Sequence, residues 1–524
     1  MIYYLGITNG PVIETLGEAG SPAGLWFGSC FFSSLTRKLC LAFLEKFNND
    51  IEILSPYFNE NQEEFLADGV GKYHDRIMLK ISCEENQEAL SKIVDDIIHK
   101  TKIESLKAFP INYHNDTAGQ FFLQNYIQCH YVLMTDEDMS KTDIEGNVIL
   151  KLSPYLDALE LMQVFPDNDS NNLFYKLFNG KETNKEIKAT ALFNAVADGA
   201  SQLVTKSADG NRIWSIEEIA NCHGAKKENS LKKYNYFAVV QADGDRVGKL
   251  LKSIRHDDAV KAFSKKCMDY AHQAADMVGS FGGMTIYAGG DDLLFLAPVE
   301  NADGKTVFEL CEELNEQFCR SVNDGSASEQ ATSLSFGIAI RYKRFPLYEA
   351  LRAATWLLLG EAKKEPKNNM AIDLQKHSGQ TISIKIPVKE HVELRKLYAL
   401  AIKKLPSIYN KVTMGTSIIQ TLSNNSMILS TLDKAVLHRI EKGDDARTQF
   451  LTGWCNFQDN DGQSDLHEYY EAIGNLYYDC FLKNGTAIEA FGGILQSDRD
   501  KKLRAMIMYL KLNKFLMEQA GEDE

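Results

Sequence analysis

The stretch Met284–Pro298, MTIYAGGDDLLFLAP, decides how the rest of the chain is read. Two short apolar runs, Met284–Ala288 and Leu293–Ala297, flank Gly289-Gly290, the pattern of a β-hairpin. At its tip Asp291 and Asp292 stand side by side between strands that are otherwise uncharged. Adjacent carboxylates repel, and Asp is disfavoured in strands, so the pair calls for a cation or a solvated tip. All-oxygen ligation suits a hard ion, Mg2+ or Mn2+. Taken alone, the hairpin fits a polar turn with an acidic exit equally well.

A second acidic segment lies upstream. Tyr236–Gln241 (YFAVVQ) reads as a buried strand and runs into Ala242-Asp243-Gly244-Asp245-Arg246-Val247-Gly248. The carboxyl end of a strand is where α/β folds place ligands, and Gly244 and Gly248 let the backbone approach one. Lys249–Ile254 begins a helix, and Asp257–Ser280 has helical spacing at Val260, Phe263, Cys267, Tyr270, Ala274 and Met277. If the two strands are neighbours in one antiparallel sheet, Asp243 comes alongside Asp291 and Asp292. Three carboxylates around two hard cations is the arrangement for phosphoryl or nucleotidyl transfer.

Asp243-Gly244-Asp245, then Gly289-Gly290-Asp291-Asp292, then Ser335-Phe336-Gly337, then Ala362-Lys363 resembles the palm domain of nucleotide cyclases and polymerases, and most closely the large, cyclase-like, Cmr-type subunit of type III CRISPR–Cas effector complexes. The resemblance implies an ATP-dependent synthesis of a nucleotide second messenger. By position it implies that Asp243, Asp291 and Asp292 hold two metal ions, with Gly244 lending a backbone carbonyl. Gly244, Asp245, Gly248, Gly289, Gly290, Ser335 and Lys363 then line the substrate site, Lys363 meeting the triphosphate. By itself Lys363, in EAKKEPK, reads as part of a solvated basic face.

The first half is similar to the other palm of the same family: Gly10-Pro11-Val12 after the strand Tyr3–Thr8, then Leu25-Trp26-x-Gly28-Ser29 leading into a helix through Lys46. Ile51–Tyr57 and Arg76–Ser82 read as strands and Glu84–Lys102 as a helix. Tyr73-His74-Asp75-Arg76 matches the family's segment in part. No Gly-Gly-Asp-Asp occurs here, so this palm is expected to be catalytically empty. The resemblance implies that the histidine–aspartate nuclease domain many members carry is lacking, since it needs about a hundred further residues. His74-Asp75 and His256-Asp257 are read as surface polar pairs.

The expected fold is α+β: two ferredoxin-like palm domains over 1–160 and 233–388, a small, mostly helical linking module over 161–232, and a C-terminal helical bundle over 389–524. In the linker, Trp214–Ala220 carries a capping box, Ser215 with Glu218. After the hairpin come a helix Thr306–Asn323, a strand Thr332–Arg341, a helix Leu347–Lys363 and an edge strand Ile382–Ile386. Val392–Leu405, Met427–Glu441, Asp465–Leu482 and Ser497–Gln519 are helical by spacing, with Tyr469, Tyr470, Tyr477, Tyr478 and Phe481 as core.

With 524 residues, 44% hydrophobic and 25% charged, the composition is that of a globular protein of several domains. A net charge of −15 argues against a large phosphate-binding surface of its own. RNA contact would then rest on basic partners. No apolar run reaches the roughly 18 residues of a membrane span. Ten cysteines without a CxxC pair read as reduced cytoplasmic thiols. Cys129-His130 and Cys222-His223 are read as structural, although related subunits often carry zinc. The functional expectation is thus a target-RNA-activated nucleotidyltransferase within an RNA-guided antiviral complex, with the other subunits, guide RNA, target RNA and ATP as partners and no membrane. Two products fit, cyclic oligoadenylate or an ATP–S-adenosylmethionine conjugate, the latter with S-adenosylmethionine as co-substrate. The alternatives are an architectural subunit with an inactive palm and a stand-alone nucleotide cyclase. Asp292, where diguanylate cyclases usually have Glu, counts against the last.

Overall fold

The computed structural model describes residues 1–58, 70–109, 116–162, 172–179, 213–222, 232–323, 332–388, 418–420, 422–424, 426–443, 446–458, 464–483, 488–491 and 498–518. In the first half, β1 (Ile2–Gly10), α1 (Pro22–Phe47), β2 (Ile51–Ser55), β3 (Arg76–Ser82), α2 (Gln87–Ser105) and β4 (Gln128–Thr135) follow one another. The strand order is β2-β3-β1-β4 and every pair is antiparallel, a ferredoxin-like sheet. Ser21 caps α1 by accepting from the Gly24 amide, with Pro22 in the first turn, and Asn86 caps α2. A helix α3 (Val148–Glu160) lies on the other face, where Leu152 and Leu156 close over Gly6 of β1.

The second half repeats the plan with β5 (Tyr236–Asp245), α4 (Val247–Ser253), α5 (Asp257–Phe281), β6 (Met284–Gly289), β7 (Asp292–Pro298), α6 (Val307–Val322) and β8 (Ser333–Tyr342). The order β8-β5-β7-β6 reproduces that of the first sheet, again with antiparallel neighbours. Tyr236, Ala238 and Val240 face a core with Tyr270 of α5 and Phe318 of α6. Phe237 and Val239 face a different core, shared with Trp26, Phe27 and Phe31 of α1. Burial on both faces is why YFAVVQ shows no polar alternation.

Four expectations change here. After α7 (Leu347–Leu357), a strand β9 (Asn369–Gln375) runs parallel to β8; the sequence reading passed over it. Only its centre is apolar, and its partner is reached by a crossover, so no hairpin signal marks it. β10 (Thr381–Pro387) is not an edge strand and the second half's strands do not stop before residue 390, because Ile384 and Lys385 pair with a short β11 (Glu489–Ala490). A two-residue strand carries no periodicity to read. Of the expected bundle, Val392–Leu405 lies outside the described residues. An unforeseen helix, Arg447–Gln458, packs beside Ser464–Tyr477, and Trp454 is buried there and donates to the Tyr470 carbonyl at 2.9 Å. Tyr477 and Tyr478 belong to this core, while the side chains of Tyr469 and Phe481 lie outside the described set. Among the described residues, the last helix, Asp498–Met517, packs on the second sheet through β10 and β11. Phe515 meets Tyr236 edge-on at 5.0 Å, and Lys376 pairs with Glu518 at 2.7 Å.

Each palm's first long helix packs on its own palm and also reaches the other: α1 meets β6 and α5 meets β2. Lys80–Asp257 at 2.8 Å and Lys261–Glu52 at 2.6 Å tie them at the rim, and Asn147 Nδ2 donates to the Leu251 carbonyl at 2.8 Å. Asp257 is therefore a link between the palms rather than a free surface group. Where the linking module joins the second palm, a buried cluster forms around Glu300. Fully buried Lys233 reaches Glu300 Oε2 at 2.5 Å, Tyr234 donates to Glu300 Oε1 at 2.7 Å, and the Cys222 thiol donates to the Glu300 carbonyl at 3.0 Å. Lys233→Met removes the cation from a buried carboxylate, so about 3 kcal/mol of stability should be lost in denaturant unfolding of the full chain.

Candidate active site

The pairing of β5 with β7 sets Ala242 opposite Leu293, so the end of β5 arrives beside the hairpin turn. Gly289 pairs with Asp292, and the turn is Gly290-Asp291, one residue later than the Gly289-Gly290 turn expected from sequence. Gly290 has φ +66°, which a side chain would oppose. Asp291 thus lies in the turn, and Asp292 opens β7. Gly244 is required by close approach: a Cβ there would lie 2.6 Å from Asp291 Oδ2 and 2.7 Å from Asp291 Cβ. At Gly289 a Cβ would lie 2.9 Å from the Lys72 carbonyl, where a strand-like segment of the first palm runs past β6 and Gly71 O accepts from Ala288 N at 3.0 Å. Gly248 is exposed and a Cβ on it would meet nothing, so packing does not require glycine there.

Two residues expected in the substrate site are turned inward. Asp245 is fully buried and accepts from Ser333 Oγ at 2.8 Å, Ser335 Oγ at 2.9 Å and the Asn368 amide at 2.9 Å. Ser335, also fully buried, is committed to Asp245. The pair holds the acidic segment in shape. Lys363 sits on the same segment: its Nζ lies 2.6 Å from Asp243 Oδ2, 2.7 Å from the Gly244 carbonyl, 2.9 Å from the Asp243 carbonyl and 3.2 Å from Asp245 Oδ1. A π-turn places it, since the Lys363 amide donates to Leu358 O at 3.0 Å and α7 widens over its last residues.

Between the palms lies a cavity of about 420 Å3 whose walls include His74, Asp75, Arg76, Met268, Asp291 and Asp292. A second, more apolar cavity of about 180 Å3, lined by Val12, Leu16, Phe32, Tyr73 and Gln241, meets the first at Asp75, Tyr287 and Asp292. Desolvation, and then Asp243, push the Asp291 carboxyl up to about 6. Asp292 is exposed at the cavity wall, yet desolvation first, and then Asp291, Asp243 and Asp75, hold it well above the ordinary carboxylate value. Burial pushes Asp75 up to about 6 against the opposing charge of Arg76, which is itself clamped by Asp157 at 2.5 Å and Glu160 at 2.9 Å. Burial, with Arg76 second, lowers His74 to about 4, so its ring is neutral at pH 7.

Sequence reasoning missed Asp75 and set His74-Asp75 aside as a surface pair; both line the cavity between the palms. The available signal was positional. Asp75 directly precedes β3 as Asp291 directly precedes β7.

Asp243, Asp291 and Asp292 are all-oxygen donors, the Asp243 charge helps to raise the two turn carboxyls, and the Lys363 ammonium already bridges Asp243 and the Gly244 carbonyl. That chemistry fits a hard divalent ion. Among the described residues, no three His, Cys, Asp or Glu side chains converge closely enough to hold a metal as they stand.

Two sheets of one topology with an acidic turn between them define a tandem-palm protein. Residues 236–371 match the family model of Cas10/Cmr2, second palm domain. The chain is 28% identical over 200 residues to the CRISPR system Cmr subunit Cmr2 of Pyrococcus furiosus; the match takes in 33% of this chain and 22% of that protein's length. Among solved structures, a type III-B Cmr-beta complex in the apo state contains a chain with a TM-score of 0.56 at 11% identity, covering 99% of this chain and 82% of that one. A Csm1–Csm4 cassette in complex with cA4 gives 0.51 at 11% identity, covering 92% and 70%. These two likenesses are likenesses of fold. No described helix is long and apolar enough to cross a membrane.

Proposed function

We propose that the chain is the large subunit of an RNA-guided type III CRISPR antiviral complex, and that its second palm converts ATP into a signalling nucleotide when target RNA binds. The observation that carries this reading is the meeting of Asp243 with the Asp291-Asp292 turn across the central strand pair of a palm. Asp243, Asp291, Asp292 and the Gly244 carbonyl would hold two Mg2+ or Mn2+ ions. Bound there, the ions lower the pKa of a ribose hydroxyl and neutralise the triphosphate and the leaving pyrophosphate.

The chain's own groups position the reactants. Asp245, Ser333 and Ser335 fix the end of β5. The cavity of about 420 Å3 is of the size that holds a nucleotide, and the apolar one beside it suits a base. No side chain need serve as a dedicated base. Partner subunits, guide RNA and target RNA, and a cytoplasmic site of action, belong to this reading, supported by relatives described as a Cmr subunit and as a Csm1–Csm4 cassette. The cA4 of that cassette supports a cyclic oligoadenylate product; an ATP–S-adenosylmethionine conjugate would use the same carboxylates.

One observation favours the architectural alternative: Lys363 lodges among the oxygens that metals would need. The test is to incubate the assembled complex with guide RNA, matching target RNA, Mn2+ and labelled ATP, with and without S-adenosylmethionine, and resolve the products by mass. Oligomers from ATP alone establish the first product. A product that needs S-adenosylmethionine establishes the second. No product under either condition leaves the architectural reading.

A further inference from the structure

We propose that Lys363 is a built-in counter-cation that stabilises the acidic loop in the metal-free chain and must leave its seat before a divalent ion can bind. This rests on the metal-site reading above. An ammonium group has three donors, and Lys363 Nζ has four oxygens within 3.2 Å: two carboxylate oxygens and the carbonyls of Asp243 and Gly244. The Asp243 carboxylate and the Gly244 carbonyl are the groups assigned to the ions, so lysine and metal compete for them.

The spacing is that of an ammonium site. The oxygens stand 2.6 to 3.2 Å from the nitrogen, whereas Mg2+ draws its ligands to about 2.0–2.1 Å. A cage opened to the larger distance explains why no three acidic side chains converge at metal-binding range among the described residues. The seat is built rather than accidental. The π-turn at Leu358–Ala362 delivers Lys363, Asn369 Nδ2 donates to the Ala362 carbonyl at 3.1 Å, and Asn368, at φ +69°, gives its amide to Asp245. The loop after Lys363 is thus tied to the carboxylate that Lys363 contacts. The flexible four-carbon stem lets the ammonium swing away while its backbone stays fixed, and leaving the seat frees it for an incoming anion.

The test uses the full chain without nucleotide. Mn2+ binding is followed by electron paramagnetic resonance for wild type, Lys363→Met, Lys363→Arg and the Asp291→Ala/Asp292→Ala double variant. Lys363→Met should bind Mn2+ at least fivefold more tightly than wild type, and Lys363→Arg no more tightly than wild type. In parallel, acetylation of wild-type Lys363, read by mass spectrometry, should accelerate severalfold when Mn2+ is added. Unchanged or weaker binding by a folded Lys363→Met, or Lys363 labelling that does not rise in wild type, overturns the counter-cation role. If that happens while wild type binds Mn2+ and the double variant does not, the metal-site reading stands alone. Absence of Mn2+ binding by every form overturns both.

Discussion

Replacing Asp291 and Asp292 together by Ala is expected to lower product formation by at least about a thousandfold, roughly 4 kcal/mol of transition-state stabilisation. Complex assembly should stay intact. Asp292 is exposed, and both carboxyls are disfavoured as anions where they stand, so their removal relieves repulsion instead of leaving a buried cation unpaired. Thermal unfolding of the variant should therefore match or exceed that of wild type in the absence of metal. The measurement pairs a product assay on the reconstituted complex with a melting curve and a size-exclusion profile. A variant that fails to assemble would show that the two carboxylates are structural.

The second large effect is expected at a glycine beneath a helix. Gly337 of β8 lies under α7: a Cβ there would be 2.5 Å from the Leu358 amide nitrogen and closer still to the Ala354 carbonyl oxygen. Both are backbone atoms, so no rotamer change relieves the clash and the helix must lift off the sheet. Gly337→Ala should cost about 3 kcal/mol or more in denaturant unfolding. It should also pull Lys363 from its seat, because the π-turn that carries it begins at Leu358. A folded Gly337→Ala protein should bind Mn2+ more tightly than wild type, in the same direction as Lys363→Met. Gly248→Ala, whose added methyl meets nothing, is the control and should leave stability within about 0.5 kcal/mol of wild type.

What was legible in the sequence was what local chemistry encodes. The hairpin declared itself through glycines, apolar flanks and an acidic tip, and the strand before Asp243 through an unbroken apolar run. The capping box at Ser215 marked a helix start, and it forms. Long-range placement was not legible. Asp75 joins the site only because the two palms face each other, and nothing near it in sequence says so. Asp245 and Ser335 belong to a motif, but a motif gives residue types and not the direction a side chain points; burial turned both inward. Lys363 lies 120 residues from Asp243, and only the crossover from β8 to β9 brings it back. β11 was beyond reach for the same reason: two residues acquire strand geometry solely from the strand they pair with.

The reach of α1 onto the second palm and of α5 onto the first bears on how the centre survives dilution. Two palms on separate chains would form a shared cavity only as fast and as often as they collided, and would lose it at low concentration. Tethered in one polypeptide and clasped through each other's helices, they meet at an effective concentration that does not depend on how many copies are present. The tether also breaks the equivalence of the halves. A symmetric pair would carry the same acidic turn twice, whereas here one half supplies Asp291 and Asp292 and the other supplies Asp75 and His74. Sequence drift in either half can then reshape one wall of the cavity while the opposite wall stays as it is.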